Sequence, residues 1–143
     1  MLNIKTFGEL IKSDYKCQSV KSEMRNNLVR FISQKKKWYE GIVGYDQSVI
    51  PQLESAILAG HNINFLGLRG QAKTRMARMM VNLLDEYIPV IEGSEVNDDP
   101  FQPISHFGKK ILEEKGDKTP IAWVHRSERY TEKLAPPDVS VAD

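Results

Sequence analysis

At 143 residues the chain has the length of one domain or a large part of one, and 41% hydrophobic residues suffice for a core. Twenty basic against nineteen acidic side chains leave a formal charge of +1, which excludes a global field that would recruit nucleic acid or an acidic membrane surface. The single Cys17 excludes an internal disulfide, and no apolar run reaches the length of a signal sequence or a membrane span, so a cytoplasmic protein is expected.

Residues 1–40 read as an N-terminal helical extension. Thr6 and Glu9 have the spacing of a capping box ahead of Leu10 and Ile11. Ser19 is placed to cap a longer helix whose apolar stripe is Val20, Met24, Leu28, Phe31 and Ile32. That helix runs into Lys35-Lys36-Lys37-Trp38-Tyr39. A basic-aromatic run can touch RNA or lipid headgroups, but cations at a helix end also favour the negative end of the dipole, and a solvated helix end is expected. Neither a membrane nor a nucleic acid is expected as a partner.

From residue 41 to 143 the texture changes to alternating strands and helices. Gly41-Ile42-Val43-Gly44-Tyr45 leads to Asp46, placed to cap a helix carrying Val49, Ile50, Leu53, Ile57 and Leu58. Pro51 marks either a delayed start of that helix or a mild kink, and Gly60 closes it. The short apolar run at 63–66 is expected as a buried central strand. A helix over 73–87 follows, with Met76, Met80, Leu83 and Leu84 facing inward. Pro89-Val90-Ile91 begins a second strand, and a polar loop leads to a helix near 105–115 with apolar contacts at Phe107, Ile111 and Leu112. Gly116 stops it, and Pro120-Ile121-Ala122-Trp123-Val124 reads as a third strand, before a tail from Ala135 to Asp143 with no clear element. Such alternation implies parallel pairing through right-handed crossovers.

The most informative stretch is Asn64-Phe65-Leu66-Gly67-Leu68-Arg69-Gly70-Gln71-Ala72-Lys73-Thr74. An apolar run, a glycine-bearing turn, a Lys-Thr pair and a helix-forming segment make the layout of a phosphate-binding P-loop. Gly67 and Gly70 let the backbone curl so that successive N–H groups converge on one anion. Lys73 then reaches the β- and γ-phosphates as a point charge, and the Thr74 hydroxyl ligates Mg²⁺. The strict pattern has glycine where this chain has Ala72, which is acceptable at a helix-entry position with negative φ.

A Walker B strand is not found. Val81-Asn82-Leu83-Leu84-Asp85-Glu86 mimics one, but it begins only eight residues after Lys73, too close for the crossover that a neighbouring parallel strand needs. Asp85 and Glu86 are therefore expected as exposed residues at a helix end. Asp98 and Asp99, beside Pro100, read first as turn formers and only second as metal ligands. His61, His106 and His125 lack ligand spacing. Lys109-Lys110 and Arg126–Arg129 could face a neighbouring subunit, although solvated faces are the default. No catalytic residue is assigned.

Ile42-Val43-Gly44 followed by a helix, an apolar run and a P-loop resembles the opening of an AAA+ ATPase module. Within that class Gly67-x-Arg69-Gly70 is similar to the P-loop of the magnesium chelatase I subunit, and Gln71-Ala72-Lys73-Thr74 to that of the MoxR group. Asn97-Asp98-Asp99-Pro100-Phe101 also resembles the chelatase pattern. The resemblance implies ATP and Mg²⁺ as ligands, an adenine pocket lined by Ile42 and Val43, and a homo-oligomeric ring in the full-length protein. It further implies a partner subunit with an integrin-like domain and a remodelled client, with porphyrin metallation as one such task. Walker B, the sensors, the arginine finger and the helical lid would all lie beyond Asp143. The fold expected is thus α/β, a P-loop NTPase core with a parallel sheet and flanking helices, incomplete in this chain and preceded by the short helical extension. The competing expectation is a non-hydrolysing interaction module with a vestigial P-loop, docking a partner through its N-terminal basic helices.

Overall fold

The structure, a computed structural model, describes residues 2–41, 48–66 and 73–133. Among them are five α-helices: α1 (Phe7–Ile11), α2 (Val20–Ser33), α3 (Val49–Ala59), α4 (Lys73–Met79) and α5 (His106–Lys115). Two strands, β1 (Tyr87–Ile91) and β2 (Ile121–His125), complete the regular structure, and none of these helices is long and apolar enough to cross a membrane.

The helix boundaries follow local chemistry. Thr6 caps α1 by accepting from the Glu9 amide, and Ser19 caps α2 by accepting from the Ser22 amide. Pro51 falls in the first turn of α3, where no backbone donor is needed, so it marks a late start and not a kink. Gly60 ends α3 with φ +73°, the left-handed conformation that glycine adopts without penalty. The proposed Asp46 cap lies outside the described residues.

The expected parallel P-loop core is not what the chain forms. The two strands pair antiparallel, from Tyr87 opposite His125 to Ile91 opposite Ile121, and they are the whole sheet among the described residues. Residues 63–66 form no strand. Ile63 and Phe65 pack half-buried against a helical core of Leu28, Trp38, Ile50, Leu53, Ile57, Met76 and Leu83, while Leu66 is 84% exposed. The apolar run is thus satisfied by helices, which bury alternate residues without a ladder. The alternation rule fails because it presumes one helix as the whole crossover. Here the link from β1 to β2 holds a loop folded back on itself, with the Ile91 amide donating to the Asp98 carbonyl at 2.9 Å, then α5 and a 3-10 turn at Gly116–Lys118.

The helix expected over 73–87 also stops early. After Met79 it tightens into a 3-10 turn, Met80–Leu83, and the chain is extended by Leu84. Asn27 donates to the Leu83 carbonyl at 2.8 Å, so a side chain satisfies an acceptor at this end that further helix would have used, and Asn82 ties the turn to the Trp38 carbonyl at 2.9 Å. The first forty residues are tied to the rest by backbone bonds: Phe7 donates to Thr119 at 2.9 Å and Ile121 to Lys5 at 2.8 Å.

Two details of the N-terminal reading are corrected. The buried face of α2 is Glu23, Asn27 and Leu28, whereas Val20 and Ile32 are about half exposed. Trp38 is 2% exposed, its indole donating to Glu54 at 3.1 Å, so it belongs to the core and leaves only the lysines of the basic run outside.

Candidate functional site

Lys73 and Thr74 open α4, and the periodicity of the helix decides what accompanies them. Positions four apart share a stripe, which sets Ala77 beneath Lys73 and Arg78 beneath Thr74. All four line a cavity of about 500 Å³ that Phe65 and the segment Tyr130-Thr131-Glu132-Lys133 complete. Ala77 contributes little volume, so the polar groups on either side face the opening.

Inside this cavity the Arg78 guanidinium grips the Glu132 carboxylate with two prongs, Nε to Oε1 at 2.5 Å and Nη2 to Oε2 at 2.9 Å. The Tyr130 hydroxyl donates to Oε1 at 2.7 Å. The hydrogen bonds from Arg78 and then Tyr130 lower the Glu132 carboxyl to a pKa of about 2, and the same contact raises that of Arg78. The opening therefore gathers two ammoniums, a guanidinium and three hydroxyls against one carboxylate held as an anion. That donor set suits a polyanion.

Of the residues the sequence assigned, Lys73 and Thr74 are brought to this one cavity. Gly67, Arg69, Gly70, Gln71, Ala72, Ile42 and Val43 lie outside the described residues. Arg78, Tyr130 and Glu132 were not singled out. The four-residue step from Thr74 to Arg78 was available as a signal for the first, whereas nothing local points to the other two.

The remaining candidates go elsewhere. Asp85 is half-buried and accepts from Asn27 at 3.0 Å, so it is not the exposed residue expected, although Glu86 is. Asp98 is a buried structural acceptor, and Asp99 accepts from the Tyr15 hydroxyl at 2.5 Å and the Phe101 amide at 2.8 Å. Burial and then Asp99 raise the Tyr15 phenol, and burial followed by the Asp99 charge raises the Cys17 thiol, neither of which favours nucleophilic chemistry. His61 borders a mainly apolar cavity of about 490 Å³ lined by Met24, Ile57, Ile63 and Met80. His125 shares its Nδ1 with the Ser127 hydroxyl at 2.8 Å. Arg129 turns inward to Glu23, at 2.8 and 3.1 Å, instead of outward to a neighbour. Among the described residues no three His, Cys, Asp or Glu side chains gather as a metal site.

No family model matches the chain, and no curated protein or solved structure does.

Proposed function

We propose that the chain binds the phosphates of ATP through the segment 67–74, and that in a full-length protein this binding drives the remodelling of a partner, as in the AAA+ ATPases of the magnesium chelatase and MoxR group. The observation that carries the reading is the convergence of Lys73, Thr74 and Arg78 on one cavity with the hydroxyls of Tyr130 and Thr131. Lys73 would neutralise the terminal phosphates and Thr74 would offer its hydroxyl to the accompanying Mg²⁺. The donor set fits the phosphates well. For Mg²⁺ the described residues offer chiefly that hydroxyl, since Glu132 is engaged by Arg78. A homo-oligomeric ring, a partner with an integrin-like domain and a cytoplasmic setting go with this reading. The chain by itself is expected to bind weakly and not to turn ATP over, because no water-orienting acid or arginine finger has been assigned in it.

The test is a thermal melt with and without ATP and Mg²⁺. A working cradle couples ligand to stability, so the parent and Ala72→Gly should melt higher with nucleotide and Lys73→Ala should not. Equal shifts in parent and Lys73→Ala would sink the assignment. A second reading, the interaction module with a vestigial P-loop, is favoured by one observation: the antiparallel two-stranded sheet in place of a parallel core. It would be supported by a parent whose melting is indifferent to nucleotide.

A further inference from the structure

The phosphate cavity already contains an anion of its own. Arg78 holds Glu132 by Nε and Nη2, the same pair of parallel donors with which a guanidinium grips two oxygens of a phosphate. Tyr130 closes on Oε1 at 2.7 Å, and Lys73, Thr74 and Lys133 line the same space. Three cationic side chains and three hydroxyls thus share one cavity with one carboxylate. A polyphosphate entering here meets that carboxylate as a like charge and Arg78 as an attractive one.

The pair is also easy to exchange. The Arg78 and Glu132 side chains are 62% and 37% exposed. Ion pairs this wet contribute little, because water and salt replace the partner readily. A ligand that offers several phosphate oxygens outcompetes a single carboxylate on the guanidinium, and it meets Lys73 at the same time.

We propose that Glu132 is an intramolecular stand-in for the ligand's phosphate: it holds Arg78 extended over the cavity, competes with the incoming anion, and yields the guanidinium to it on binding. This names a regulation of the site described above and rests on the phosphate reading. Glu132 is a positioning and gating residue in this scheme. Because its carboxyl stays ionised far below neutrality, the competition persists across pH 5–8.

The experiment titrates inorganic tripolyphosphate into the full chain by calorimetry at low salt, for the parent and for Glu132→Gln, Arg78→Ala and Lys73→Ala. Glutamine keeps the size and removes the charge. Glu132→Gln should bind roughly fivefold tighter, because one like charge facing the incoming polyphosphate is gone, with the gain shrinking as salt rises. Arg78→Ala should bind about tenfold weaker, as expected for a lost charge-assisted contact. Equal affinity of parent and Glu132→Gln overturns the exchange; if Lys73→Ala still loses binding in that case, the phosphate reading stands without it. Weaker binding by Glu132→Gln also overturns it, since Glu132 would then be supporting the site. Absence of binding in both parent and Glu132→Gln overturns the exchange and the phosphate reading together.

Discussion

Two carboxylates in this molecule are lowered to the same pKa of about 2 by opposite means. Asp98 is 2% exposed. Burial alone would raise it, but the Ser105 hydroxyl, the Ser105 amide at 3.0 Å, the Ile104 amide at 2.8 Å and the Ser94 hydroxyl at 2.8 Å overcome that penalty. Gly108 leaves room for it, since a Cβ there would lie 2.6 Å from the carboxylate. Glu132 is solvated and leans on one arginine and one tyrosine. A shared proton affinity therefore says nothing about role. The buried anion is held by four donors out of reach of bulk water, whereas the exposed one is held by groups that water serves nearly as well.

The strongest way to press this contrast is Asp98→Ala. It strands the donors that converge on a buried carboxylate at the start of α5, where Ser105 is also the N-cap. We expect a loss of roughly 3–5 kcal/mol in a denaturant titration, the range for breaking a buried, charged network. A loss under about 1 kcal/mol would mean that water replaces the network and that Asp98 differs little from Glu132. The pH dependence has a definite sign. The folded pKa lies below the ordinary 3.8, so the Asp98 contribution is complete above that value and lost as pH falls toward 2. The gap between parent and variant should accordingly narrow in acid.

Arg129→Met breaks an ion pair that matches Arg78 with Glu132 in chemistry but not in depth. The Arg129 and Glu23 side chains are 13% and 5% exposed. Burial raises the Glu23 carboxyl even though Arg129 pulls it back. Removing the arginine leaves a buried charge, and about 2–3 kcal/mol should be lost at neutral pH, at the lower end because Arg129 still touches solvent. The sign is reversed relative to Asp98. A folded pKa above the unfolded value means that the native state binds its proton more tightly, so stability recovers as pH falls through that window. A variant equally damaged at pH 5 and pH 8 would show that the loss comes from packing and not from the stranded charge.

What the sequence made legible and what it did not divide along the same line of local against distant causes. Thr6, Ser19, Gly60 and Gly116 were readable because a cap or a stop is decided by residues within one turn. The strand segments at 89–91 and 121–124 were found, but not that they run antiparallel, since direction depends on how the loop around Asp98 folds back. Glu23 was missing from the inward face read for α2 because its partner, Arg129, is 106 residues further along the chain. At 63–66 the apolar pattern was right and its meaning wrong: hydrophobicity asks for burial, and helices α2 and α3 provided it where a sheet was expected. In the candidate site, Lys73 and Thr74 were legible from spacing to the glycines. Glu132 was not, because only the folded chain carries residues 130–133 to α4.

The smallest effect is the most informative about that cavity. Glu132→Gln and Arg78→Ala, made singly and together, should leave the melting temperature of the ligand-free chain without resolvable change. Both side chains reach solvent, so each lost hydrogen bond is replaced by one to water, and fixing two long side chains in one geometry offsets what their attraction supplies. The double variant matters because it removes the penalty of leaving either partner alone; a coupling indistinguishable from zero across the cycle is the expected result. Added salt should not alter the comparison, since little electrostatic stabilisation remains to be screened. If instead either single variant melted as low as Asp98→Ala, the Arg78 contact would be a clasp fastening residues 130–133 to α4. Glu132 would then be too firmly held to yield to an incoming phosphate.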